Sequence, residues 1–189
     1  MKQSKKAKVR SKKAIGILFL TFAFSLFTCL ASAGMAVQAC FSPVGRCSGH
    51  IVREIDQAQR EILVAVYAFT SDDLAWALVK ARKRGVKVQV VLDREFDKGR
   101  GNSKGLFLEQ QGVSVRRVFG AETKKAEKET GLMHQKFAVI DRKVVLTGSY
   151  NWTVAAEKFN DENLLLFRDA APLADEYRKE FFRLWEKRG

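Results

Sequence analysis

Residues 133–152 read MHQKFAVIDRKVVLTGSYNW. Phe137, Ala138, Val139 and Ile140 are an unbroken apolar run, the pattern of a central strand covered on both faces. The polar pair Asp141-Arg142 interrupts it before Val144, Val145 and Leu146 resume, so the stretch predicts two strands, 134–140 and 143–147, joined by a turn. Strand residues two apart share a face. His134 and Lys136 are therefore expected side by side at the mouth of the first strand, and Ser149 and Asn151 side by side after the second. Gly148 permits close approach of neighbouring main chain. Burial at a strand mouth penalises the charged forms of histidine and lysine, which favours a neutral, nucleophilic imidazole. An imidazole, an ammonium, a hydroxyl and an amide brought together suit a tetrahedral anion such as a phosphodiester.

Outward from this stretch, strand and helix patterns alternate. Residues 48–59 have helical spacing through Ile51, Ile55 and Ala58, and 62–69 form a continuous apolar run that predicts a strand. Ser71 followed by Asp72 and Asp73 reads as a helix N-cap and first turn, and Gly85 as the stop after a basic last turn. A strand at 86–92 leads into a polar loop, 93–105, in which Lys98, Arg100 and Lys104 are candidates for a phosphate-binding rim. A short helix over 103–111, a strand over 113–119, an exposed loop over 120–131 with Lys124, Lys125 and Lys128, a strand at 164–167 and a helix over 172–187 complete the pattern. Alternation of this kind predicts an α/β domain, three layers with a central mixed sheet. Trp152 is expected in the core.

The 189 residues carry a formal net charge of +13, unevenly spread. Residues 1–39 hold seven basic side chains and no acidic one, which leaves 13 − 7 = +6 for the remainder. That balance suits a polyanionic partner without demanding one. A cationic start followed by an apolar block and small-residue cleavage sites, after Ala33 or Ala39, reads as a signal peptide or, if retained, a membrane anchor over 14–33. Residues 1–39 are accordingly set aside from the fold, and 40–189 are expected to form the catalytic domain in the periplasm or outside the cell. Cys29 lies in the apolar block; Cys40 and Cys47 either pair in an oxidising exterior or, with His50, contribute to a zinc site that lacks a clear fourth ligand.

The spacing His-x-Lys-x4-Asp from His134 to Asp141, with Gly148-Ser149-x-Asn151 behind it, resembles the signature of the phospholipase D superfamily. FSPVG at 41–45, VYAFTSDDLAWAL at 66–78, RGVKVQVVLD at 84–93 and NDENLLLF at 160–167 extend the likeness to the small, single-motif, secreted endonucleases of Nuc type. The chain is also similar to the mitochondrial Zucchini-like branch, whose zinc-binding insertion is short and incomplete here. The resemblance implies a phospholipase D-like fold and a phosphohistidine mechanism without metal or cofactor. His134 would be the nucleophile, and Lys136, Ser149 and Asn151 would hold the phosphate. Glu162 would bond the other ring nitrogen of His134, and Asp141 would complete the catalytic set in a structural or charge-positioning role. It also implies two histidine motifs per active site. This chain has one, because His50 is followed by Ile51-Val52-Arg53. The expected partner is thus a second copy of the chain, with nucleic acid as substrate, phospholipid as the alternative, and a non-catalytic nucleic-acid-binding protein as the reading from another class.

Overall fold

The computed structural model describes residues 34–99, 101–121 and 131–187. Seven strands form one mixed sheet between two helical layers. In chain order the elements are β1 (Ala36–Ser42), α1 (Cys47–Gln57), β2 (Glu61–Val66), α2 (Asp72–Lys83), β3 (Lys87–Asp93), α3 (Arg94–Gly99), α4 (Gly105–Gln110), β4 (Ser114–Val118), β5 (Lys136–Ile140), β6 (Val144–Gly148), α5 (Val154–Lys158), β7 (Glu162–Arg168) and α6 (Ala171–Trp185). The strands lie in the order β1-β7-β6-β5-β2-β3-β4. β2, β3 and β4 run parallel, and the other pairings are antiparallel.

Both faces of β2 and β5 are buried, and their alternation sorts the core into two clusters. Ile62, Val64, Val66, Ala138 and Ile140 pack with Ile51 and Ile55 of α1 and Leu74 and Leu78 of α2. Leu63, Ala65, Phe137 and Val139 pack with Phe181 and Leu184 of α6. The continuous apolar runs are what two covered faces require, and the amphipathic helices supply the covers. Trp152 is buried and meets Phe69 edge to face at 5.2 Å between ring centroids. Ser71 caps α2, its hydroxyl accepting the Leu74 N–H at 3.4 Å, and Asp72 and Asp73 occupy the positive end of the helix.

Three local readings change. The expected loop 93–105 opens with α3, because an Asp93 carboxylate oxygen accepts the Phe96 N–H at 2.9 Å and Asp97 is tied to Ser103 and Arg117. Strand β5 starts at Lys136, leaving His134 just ahead of it. The third change is β1, which begins at Ala36, inside the stretch set aside as targeting sequence, and pairs along its whole length with β7. The apolar block at 14–33 falls outside the described residues, as do Arg100, Lys124, Lys125 and Lys128. Among the described residues no helix is long and apolar enough to cross a membrane.

Gln38 of β1 accepts from Arg168 at 3.1 Å, and Arg168 is bonded to the buried Glu54 at 2.6 and 2.8 Å. A chain starting at Cys40 loses four ladder pairs and this cover over a buried ion pair; one starting at Gly34 keeps both. At about 0.5–1.5 kcal/mol per net hydrogen bond, the shorter chain is expected to be less stable by about 2–3 kcal/mol. That corresponds to a melting temperature lower by roughly 5–10 °C in a domain of this size, measurable by calorimetry on the two purified forms.

Candidate functional site

The sheet brings four chemistry-bearing segments to one end. β2 and β3 run toward it and finish there, β5 starts from it, and β6 finishes there, so the turn after β2, Asp93, His134-Gln135-Lys136 and Gly148–Asn151 are neighbours. Lys136 is buried, and its ammonium donates to the His134 carbonyl oxygen at 2.7 Å and lies 2.9 Å from His134 Nδ1. It also sits over the Tyr67 ring at 5.2 Å, and the same ring packs against the His134 imidazole with centroids 4.5 Å apart. The imidazole itself reaches solvent.

Partial burial depresses the His134 pKa, the Lys136 charge depresses it further, and Asp93 opposes them. Lys136 is likewise lowered by burial, with Glu162 pulling it back up. An ammonium has only hydrogens to offer, so the Nδ1 facing it accepts and the neutral ring carries its hydrogen on Nε2. Nε2 becomes a nucleophile only when its hydrogen moves to Nδ1, which requires Lys136 to turn away.

Gly148 is required by the packing of β6 on β7. Its φ is +151°, and a Cβ there would overlap the main chain of Asn163. The Asn163 carbonyl accepts the N–H groups of Ser149 and Tyr150 at 3.1 and 3.2 Å, which turns the chain over the strand end. The exposed Ser149 hydroxyl accepts from the Asn163 main chain at 3.1 Å and from its side chain at 3.3 Å. Asn151 accepts the Ala68 N–H through Oδ1 at 3.3 Å, which directs its amide nitrogen away from that contact. Asn151 faces a hollow of about 580 Å³ shared with Tyr67, Phe96, Lys104 and Phe159. His134, Lys136 and Gly148 border another, of about 400 Å³, walled by Tyr177 and Glu180 of α6. Lys104, a rim candidate, is held by Asp72 at 2.6 Å.

Two expected site residues are placed differently. Glu162 Oε1 accepts from Asn160 at 3.1 Å, and its influence falls on Lys136; it makes no hydrogen bond with His134 of the same chain. The reason lies in the sheet: β7 is two strands away from β5, with β6 between them. Asp141 lies away from the histidine and takes the structural side of its expected role. It lies at the far end of β5, five residues or about 17 Å from Lys136 at the usual strand rise. There it accepts the N–H groups of Gln59, Arg60 and Glu61 at 2.9, 2.8 and 3.1 Å from a left-handed conformation, φ +50°. Asp141→Ala removes the two oxygens that accept these three hydrogen bonds and places alanine in that conformation. It is expected to lower stability by about 2–4 kcal/mol while kcat per folded molecule stays within about twofold, checked by denaturant titration alongside active-site-normalised rates.

The sequence pattern hides Tyr67 inside an apolar run and Asp93 at the start of a polar loop. The available signal was an aromatic and an acid at the ends of adjacent parallel strands, where α/β sites gather. At the other end of the chain Cys40 and Cys47 are joined as a disulfide, Cα atoms 5.8 Å apart, and His50 Nδ1 faces Gln38 Nε2 at 3.4 Å. Sulfurs bonded to each other are not zinc ligands. Among the described residues no group of three or more His, Cys, Asp or Glu side chains is arranged to hold a metal ion.

The sequence profile of the family described as "Cardiolipin synthase, PLD-like domain" matches residues 51–185. The chain belongs to the phospholipase D superfamily. Its similarity to the mitochondrial cardiolipin hydrolase of Xenopus laevis is 37% identity over 163 residues, 85% of this chain and 72% of the frog protein. The phospholipase D of Rickettsia typhi is 37% identical over 146 residues, 77% of this chain and 66% of that one. Among solved structures, Nuc from Salmonella typhimurium, a phospholipase D family member, superposes with a TM-score of 0.68 at 30% identity, covering 80% of this chain and 94% of Nuc. The three-layer mixed-sheet fold is thus the phospholipase D fold, and the chain is a phosphodiester hydrolase of that superfamily.

Proposed function

We propose that the protein is a metal-independent phosphodiesterase that hydrolyses nucleic acid with little sequence preference, through a phosphohistidine on His134. The observation that carries this reading is the Lys136–His134 pair at the sheet end, backed by Ser149 and Asn151. In the first step Nε2 of His134 bonds phosphorus as the bond to the leaving oxygen breaks, and a second histidine gives that oxygen its proton. In the second step the same histidine takes a proton from water, whose oxygen bonds phosphorus as the N–P bond breaks. Lys136 and Asn151 hold the nonbridging oxygens, and Ser149 supports them.

The second histidine belongs to a second copy of the chain. His50 is on α1, beside Gln38, and is not at the site. The net +6 body and the likeness to Nuc across nearly all of Nuc's length support nucleic acid as substrate. The N-terminal segment, outside the described residues, directs the domain to the periplasm or the exterior, or holds it at a membrane.

The second reading is hydrolysis of phospholipid headgroups. It rests on the names of the frog and rickettsial relatives. It also rests on exposed apolar side chains beside the site, Phe159 at 77% and Val154 at 47% exposure. Purified residues 34–189 in EDTA, offered plasmid DNA, RNA, and phosphatidylcholine and cardiolipin vesicles, separate the two. Cleavage of nucleic acid is expected; turnover of vesicles alone sinks the nuclease reading, and a requirement for added metal sinks the mechanism.

A further inference from the structure

Asp93 is almost fully buried, with 1% of its surface exposed, and neither of its carboxylate oxygens is idle. Oδ1 accepts the Phe96 N–H at 2.9 Å, and Oδ2 accepts the Met133 N–H at 2.9 Å, forty residues along the chain. Met133 immediately precedes His134. On the other side of His134, the Gln135 carbonyl accepts the Tyr67 N–H at 2.9 Å. The residue that carries the imidazole is thus pinned between two main-chain contacts before any ladder pairing begins at Lys136, and the N-terminal pin is a side chain. An amide or hydroxyl could not replace it fully, because two N–H groups converge on it and both need acceptors.

We propose that Asp93 is a positioning residue of this site: its carboxylate fixes the backbone that presents His134 and keeps a negative charge beside the imidazole. The proposal rests on the reading of His134 as nucleophile. The two functions belong together. Lys136 lies against Nδ1 and disfavours a positive ring; Asp93 works in the opposite sense from the other strand. The ring therefore meets one cation from β5 and the Tyr67 ring from the end of β2, while the Asp93 carboxylate at the end of β3 holds the main chain one residue before it. Fixing the main chain to a buried carboxylate also sets the distance from Nε2 to a phosphorus held by Lys136 and Asn151. An attack geometry that slips by about 1 Å can cost on the order of 10²-fold in rate.

The chain has two histidines, so its imidazole resonances are few enough to follow individually, with His134→Ala assigning the second. In Asp93→Asn the His134 titration midpoint is expected to move down, and in Lys136→Met to move up. Asp93→Asn should lower kcat by about 10–100-fold with KM changed less than about threefold, since the phosphate-holding side chains remain. A folded Asp93→Asn protein with an unmoved His134 titration and unchanged kcat overturns the proposal. So does a loss of melting temperature with both of those readouts unchanged, the mark of a merely structural role. If Asp93→Asn does not fold, the Met133 amide of the wild-type protein decides. A slowly exchanging amide whose shift follows titration of a carboxyl supports the proposal, and free exchange overturns it. The reading of His134 fails separately: full activity of His134→Ala removes it, whatever Asp93→Asn does.

Discussion

His134→Ala is expected to lower kcat for phosphodiester hydrolysis by at least about 10⁴-fold, the scale on which loss of a covalent nucleophile is felt. Nothing nearby can take its place. The Lys136 nitrogen is engaged by the His134 carbonyl oxygen and lies on Nδ1. The Ser149 hydroxyl accepts two hydrogen bonds from Asn163, and among the described residues it donates to no base. KM should change much less, because Lys136 and Asn151 remain to bind phosphate. The loss should be the same on whichever polymer or vesicle the wild type cleaves, since both readings share one nucleophile. Alkaline quench of the wild type during turnover should trap labelled phosphate on histidine, and the variant should trap none. His50→Ala serves as the control, because that ring lies beside Gln38 on α1; its activity should match the wild type. Retained nucleic-acid function in His134→Ala would falsify the catalytic reading in favour of a binding protein.

The fold was legible where burial and periodicity agree. Apolar runs with no polar interruption announced β2 and β5, and the alternation of strands with capped helices announced three layers. β1 was not legible. Of Ala36–Ala39 three are exposed and the fourth half-buried, and they follow directly on an apolar block that reads as targeting sequence; only pairing with β7, more than 120 residues away, makes them a strand. The site was half legible for a related reason. His134, Lys136, Ser149 and Asn151 are local to one hairpin, so spacing alone brings them together. Asp93 reaches the site through sheet order, which no local pattern encodes; Glu162, named through the resemblance and not by spacing, lies two strands from β5. Asp141 takes the structural side of the role the resemblance implies. It is close to His134 in sequence, but a strand carries it to the far end of the sheet, where its carboxylate holds the turn into β2.

Mixing wild-type chains with His134→Ala chains should reduce activity as the square of the wild-type fraction. The mechanism needs an acid opposite the nucleophile, and the described chain offers no second histidine at the site. Lys136 is committed to the imidazole and the phosphate, and Glu162 makes no bond to His134 within its own chain. The single active centre of the proposed two-fold dimer then draws one histidine from each copy, so a mixed dimer has no complete centre. At equal amounts and random exchange, about a quarter of the dimers are wild type on both sides, and about a quarter of the activity should remain. A self-sufficient monomer would keep about half, and so would a dimer whose two centres act independently. Exchange must be complete for the distinction to hold, so the mixture is made by co-refolding or co-expression and its composition checked by mass spectrometry. Sedimentation of the wild type supplies the second measurement: full activity in a sample that sediments as a monomer removes the shared centre. Activity of about one half together with a dimeric mass leaves the dimer standing but moves the proton donor back into the single chain, where Lys136, with its lowered pKa, is the group placed to serve.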